Sequence, residues 1–233
     1  MKSLVFDAGP IISLTMNNLL WVLPELKKHF DGEFYITEGV KREIVDVPLD
    51  RKKFKFEAIQ VLQLLNDGTL KVMDNKTIRN TTYKLIGIAN KIFYARNHPI
   101  KILHFGEVSI ISAAYNLKSK NLVLDEKTTR MLIENPRKLR YMLEKTLKTH
   151  IHTDVSVLEK FNKFAKGLKV LRSVELLTSA YELGILDIYK KGLEEIPDKN
   201  KKLVEAVLWG VKLAGCAVSE KELRQIVKIE VSK

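Results

Sequence analysis

Cysteine is almost absent: Cys216 is the single one in 233 residues. One thiol cannot build a disulfide framework within a chain, so the fold must rest on apolar burial, as suits a reducing compartment. A chain of this length can bury roughly 70–75% of its unfolded surface, which is enough for a core. Cys216 itself lies in the apolar stretch Leu213-Ala214-Gly215-Cys216-Ala217-Val218 and reads as a small buried side chain rather than a nucleophile. Long hydrophobic runs are missing too, and the longest fall far short of the roughly 20 residues that span a bilayer. Met1-Lys2-Ser3 passes straight into the strand-like Leu4-Val5-Phe6, leaving no room for a signal peptide. A soluble, cytoplasmic protein without a membrane partner is the expectation. Neither a Walker glycine loop nor a Gly-x-Gly-x-x-Gly run occurs, which argues against nucleotide-dependent chemistry.

Acidic charge is the other shortage. Forty Lys and Arg face 28 Asp and Glu, for a net charge of +12, a balance that favours a polyanionic partner such as nucleic acid. The excess is also placed. No acid occurs between Asp74 and Glu107, and from Pro136 to Arg172 ten basic residues face Glu144, Asp154 and Glu159. The segment Arg51-Lys52-Lys53-Phe54-Lys55-Phe56 interleaves cations and aromatics. It reads either as a nucleic-acid surface or as a helix start with two core-facing phenylalanines. His150 and His152 have no cysteine companions for a zinc site and read as a solvated or RNA-facing pair.

Short β-branched runs alternate with segments of helical period, the pattern of a parallel sheet covered on both faces. Strands are expected at Leu4–Phe6, Phe34–Ile36, Leu70–Met73, Leu122–Leu124 and Leu168–Leu171, and a long helical region over Thr77–Arg96. The leading fold is an α/β doubly wound sheet of five parallel strands in the order 3-2-1-4-5. In such a sheet ligands bind beyond the carboxyl ends of the strands, where the winding reverses. Asp7 follows the first strand and Asp125 the fourth, the two strands flanking that point. Glu43 lies within reach on the short helix after strand two, and Glu107 opens the helix that feeds strand four. Either glutamate alone could serve as a helix-terminus charge. Four acids from four segments repel one another, and such clusters normally persist because a cation neutralises them.

These stretches carry a resemblance. Leu4-Val5-Phe6-Asp7-Ala8-Gly9-Pro10-Ile11-Ile12 resembles the opening of PIN domains, and Ile36 to Ile44, with Glu43 three residues beyond Val40, looks like their second motif. Phe105-Gly106-Glu107 with its small-residue helix is similar to the third, and Asn121-Leu122-Val123-Leu124-Asp125-Glu126 to the fourth. The tail Gly210–Ser219 resembles that of a prokaryotic, toxin-like subfamily. The resemblance implies a metal-dependent ribonuclease with Asp7, Glu43, Glu107 and Asp125 as its acids, Mg²⁺ or Mn²⁺ as cofactor and RNA as substrate. Asp7 and Asp125 would be direct ligands, and Glu126 could assist Asp125. A toxin would also have a small antitoxin protein as partner. Two positions depart from the family's pattern: Ala8 and Val123 stand where hydroxyl residues usually orient the acids or solvent. The competing readings are a non-cleaving RNA-binding module of the same fold and a phosphatase using Asp7 as phosphate acceptor. The latter would want a second Asp where Gly9 stands.

The resemblance has one gap. Over about 135–167 the chain inserts two amphipathic segments, with Leu139, Met142, Leu143 and Leu147 at helical spacing in one and Val157, Leu158, Phe161 and Phe164 in the other. The expectation is one nuclease domain, 1–233, with a basic helical insertion that grips RNA, mediates a homodimer contact or is a solvated hairpin.

Overall fold

The structure, a computed structural model, describes residues 2–73 and 75–232. Its central sheet has the strands β1 (Lys2–Phe6), β2 (Gly32–Thr37), β3 (Leu70–Met73), β6 (Asn121–Val123) and β8 (Lys169–Leu171). They are hydrogen-bonded in the order β3-β2-β1-β6-β8, and every pairing is parallel. With β6 and β8 as fourth and fifth strands, this is the order 3-2-1-4-5. The centre is apolar on both faces, as a doubly covered parallel sheet requires: Val5, Phe6, Phe34, Ile36, Leu122 and Val123 are all buried. Phe6 and Phe34 meet with ring centroids 5.2 Å apart at a tilted angle. Burying one such ring is worth about 1.5–3 kcal/mol.

The helices α1 (Ala8–Met16), α2 (Val22–His29), α5 (Lys55–Asn66), α6 (Lys76–Ala89), α7 (Phe105–Leu117) and α8 (Lys127–Glu134) connect these strands. Between β2 and α5 run α3 (Glu38–Lys41), a π-helical turn at Arg42–Asp46 and α4 (Val47–Leu49). Helix α7 is the best buried. Val108, Ile110, Ile111, Ala113 and Ala114 are closed off from solvent, and its small Ser109 and Ser112 are buried with them. The Ser109 and Thr37 hydroxyls lie 2.8 Å apart, which ties the start of α7 to the end of β2. At the far end, α11 (Ser173–Glu182), a 3-10 segment (Ile185–Leu193), α12 (Lys199–Leu213) and α13 (Glu220–Val231) complete the chain. A Cβ on Gly210 of α12 would lie 2.3 Å from Asn17 Oδ1, so a larger residue there would have to displace the Asn17 side chain at the end of α1.

Two sequence readings need correction. The helical region expected over Thr77–Arg96 ends at Ala89, and Phe93–Ala95 (β4) and His98–Pro99 (β5) form a hairpin instead. Its two turn residues, Arg96 and Asn97, both have positive φ, 47° and 63°. Primed two-residue hairpin turns have this geometry, but here no glycine advertises it. The insertion does form two helices, α9 (Pro136–Leu147) and α10 (Val155–Ala165), yet a strand, β7 (Ile151–Thr153), lies between them and pairs antiparallel with β4. A second sheet, β5-β4-β7, results. Helix α10 packs on α6 and α7, and α9 on α8 and β7. The segment is fastened to the body rather than projecting as a free hairpin.

Candidate active site

Asp7 ends β1 and starts α1. Its N–H donates to Val123 O at 2.9 Å, extending the β1–β6 pairing by one residue and fixing where the carboxylate emerges. The residue is 9% exposed. Burial, as the largest cause, raises its pKa from the ordinary 3.8 to about 7. The N–H groups of Ala8 and Gly9 at the start of α1 oppose that shift, while the charges of Glu43 and Glu107 add to it.

Glu107 reaches this space from α7. Its Oε2 accepts the His104 N–H at 2.6 Å, so it does cap its own helix. It also feels burial, the main cause of its raised pKa, and the charges of Glu126 and Glu43. Glu43 comes from the π-helical turn Arg42–Asp46, where the wider ladder aims side chains differently from an α-helix. It is exposed. A Cβ on Gly106 would lie 3.8 Å from Glu43 Oε2, so this carboxylate overhangs the start of α7 beside Glu107. The charges of Asp7, Glu43 and Glu107 thus act on one another, and their donors are all oxygens, the kind hard divalent cations prefer.

Asp125 lies just past β6 on the other side of Gly9, whose added Cβ would stand 3.5 Å from Asp125 Cβ and 3.6 Å from Asp7 Oδ2. Its surroundings are different. Oδ1 accepts the Ser173 N–H at 2.7 Å, Oδ2 accepts the Ser13 hydroxyl at 3.1 Å, and the Ser173 hydroxyl bridges the two oxygens at 3.0 and 2.8 Å. The buried Cys216 thiol also faces it. Burial pushes that thiol up to about 12, with the Asp125 charge and hydrogen bond adding to the rise. The backbone joins in, since Ala217 N–H donates to Asp125 O at 3.1 Å. Arg172, 5% exposed and paired with Glu175 and Glu222, donates to Ala217 O at 3.2 Å. Glu126 is spent on a helix cap, its two oxygens accepting the N–H groups of Thr128 and Thr129 at 2.6 Å each. Among the described residues, no three acids, histidines or cysteines are placed as a group that could hold a metal ion.

Sequence reasoning named the four acids but missed the donors on Asp125. The family's hydroxyls are absent at Ala8 and Val123, and Ser13 and Ser173 supply hydroxyls to the acid from elsewhere. Ser13 could have been found, because it is a polar residue on the buried face of α1. Ser173, 48 residues from its partner, left no local signal. The phenylalanines of Arg51–Phe56 do not face the core either: Phe54 is 42% and Phe56 68% exposed.

In comparisons with known proteins, a family model described as a PIN domain matches residues 3–137, more than half of the chain. No curated protein and no solved structure matches. Among the described residues, no helix is long and apolar enough to cross a membrane.

Proposed function

The chain belongs to the PIN-domain family, whose members are generally nucleases, and we propose that it is a metal-dependent endoribonuclease hydrolysing RNA phosphodiester bonds. The observation that carries this reading is Asp7, a carboxyl group buried at the end of β1 and pushed up to about 7 next to two further acids. Acids that act on one another in this way cost stability unless something neutralises them; the three are not already placed as a metal-holding group, so a cation would have to draw their carboxylates together. Asp7, Glu107 and Glu43 would hold Mg²⁺ or Mn²⁺, with Asp125 as the fourth acid at the junction of β1 and β6. When bound, the ion would lower the pKa of a water and stabilise charge on the leaving oxygen. Glu43, the most exposed of the three, is suited to orienting the attacking water. Ser13 and Ser173 fix the Asp125 carboxylate, and β1 fixes Asp7, so the acids meet a phosphodiester in one register. The basic surface of a chain with net charge +12 would hold the RNA backbone by counterion release.

We take 1–233 as one nuclease domain in which the α9–β7–α10 segment, about 135–167, is an insertion whose basic face extends the RNA surface. A small antitoxin gene beside its own would mark the enzyme as a toxin, and the lack of one as an RNA-processing enzyme. A second reading, an RNA-binding module of the PIN fold that cuts weakly or not at all, draws on one observation: every oxygen of Asp125 and Glu126 already has donors. Incubating the purified chain with single-stranded RNA separates the two. Cleavage that needs Mg²⁺ or Mn²⁺, stops with a chelator and vanishes in Asp7→Asn supports the nuclease. RNA that is bound and never cut at any metal concentration overturns it.

A further inference from the structure

Two clefts meet on the Glu43 side of the acids, sharing Ile12, Glu43, Pro48 and Phe54. The first, about 310 Å³, is apolar, walled by Ile12, Met16, Val61 and Ala214, with Glu57 at its side. The second, about 530 Å³, is rimmed by Arg42, Arg51 and Lys53, all exposed. Phe54 stands between them. It is 42% exposed and adopts a left-handed backbone at φ 66°, ψ 17° before α5. That conformation is an outlier for a bulky residue, so its surroundings must impose it. Its outcome is a ring turned to the cleft rather than the core, with Lys53 Nζ 4.6 Å from the ring centroid.

We propose that the joined clefts form a one-nucleotide subsite for RNA, a reading that rests on the RNA substrate inferred above. The base stacks on Phe54 within the apolar cleft, and its phosphate lies among Arg42, Arg51 and Lys53. The adjoining phosphodiester is thereby carried past Glu43 toward Asp7 and Glu107. The occupant is set by complementarity: a flat apolar ring joined to an anion matches an apolar slot with an aromatic wall and a cationic rim. Stacking of this kind tolerates any base. Glu57, at the side of the apolar cleft, adds an acceptor for an exocyclic amine, so adenine, cytosine and guanine are favoured over uracil at this position.

The test measures binding without cleavage: anisotropy of a short, labelled single-stranded RNA in chelator, with one abasic nucleotide walked along it. The wild-type chain is expected to lose roughly tenfold in affinity at a single abasic position. Phe54→Ala should lose about as much on intact RNA and nothing further at that position, whereas Phe54→Trp retains affinity. Should Phe54→Ala fail to fold, Phe54→Leu keeps an apolar side chain without the flat face and should behave in the same way. Losses that add, or equal affinity of wild type and Phe54→Ala, overturn the subsite while leaving the nuclease reading intact. The abasic pattern without any cleavage in Mn²⁺ upholds the subsite and overturns the nuclease. If Phe54→Ala instead abolishes self-association in sedimentation and leaves RNA affinity unchanged, the clefts hold a protein surface and the proposal is wrong.

Discussion

Asp7 and Asp125 face each other across Gly9 at the ends of two paired strands, yet their carboxylates live under opposite conditions. Asp7 is buried, coupled to two other acids and pushed up to about 7. Asp125 is still more buried, at 2% exposure, but Ser13 and Ser173 meet it with hydrogen bonds on both oxygens. A carboxylate met by donors is held in place at little cost, because the protein itself solvates it. One surrounded by acids is destabilising until a cation or a proton joins it. The same residue type at equivalent strand ends is thus left short of counter-charge on one side and held by hydrogen bonds on the other.

Removing Asp7 is the sharpest way to break the comparison. Asp7→Asn should lower RNA cleavage by at least about a thousandfold, as loss of a group acting on the reacting centre does. The metal-free protein should nevertheless become more stable at pH 8, melting roughly 2–8 °C higher, because an amide needs no counter-charge in that setting. Lower stability with full activity would show that Asp7 is a structural acid like its neighbour.

Asp125 should respond in the reverse sense. Asp125→Ala leaves the Ser173 N–H and two hydroxyls buried without an acceptor, a loss of about 2–4 kcal/mol. Chemical denaturation should report that loss even in chelator, where Asp7→Asn gives a gain. A neutral effect would mean that the hydroxyls find other partners and that the two acids are alike.

Stability against pH sharpens the contrast without mutation. The folded protein keeps a proton on Asp7 up to about pH 7, whereas the unfolded chain loses it near the ordinary 3.8. Between those values the native state binds more protons than the unfolded one, so metal-free stability should fall as pH rises from about 4 to about 7 and then level off. Mn²⁺ binds the folded acids and hardly the unfolded chain, so it should raise the melting temperature most above pH 7. In Asp7→Asn both effects should shrink together. A slope that survives the mutation would assign it to another group.

The strands of the sheet, and the places of Asp7 and Asp125 at two of their ends, were legible in the sequence because each is local: a β-branched run, then an acid where it ends. The environment of each acid was not legible. Asp125 meets Ser13, Ser173 and Cys216 from three distant segments, and nothing near Asp125 announces them. The β4–β5 hairpin was hidden for another reason. Its turn uses Arg96 and Asn97 at positive φ, and asparagine before histidine is a weak turn signal next to Asn-Gly. Phe54 was visible as a residue, but whether its ring faced core or cleft depended on a left-handed backbone that the sequence does not declare.

The smallest expected effect concerns Cys216, which reports on the Asp125 side alone. Its thiol is 4% exposed and pushed up to about 12 by burial first and by the Asp125 charge second. At pH 8 the thiol is then almost wholly protonated, and the thiolate is the reactive form. Alkylation by iodoacetamide should therefore be slow in the native wild-type chain. Asp125→Asn removes the charge while keeping a side chain of nearly the same shape, so the thiol's pKa should fall and labelling should quicken. Asp7→Asn should change the rate far less, since the groups that act most on this thiol do not include Asp7. Labelling measured well below the denaturation midpoint separates this from unfolding, which would expose the thiol in every variant in proportion to its lost stability. If both substitutions quickened labelling equally, the two acids would share one electrostatic environment, and the division drawn between them would not hold.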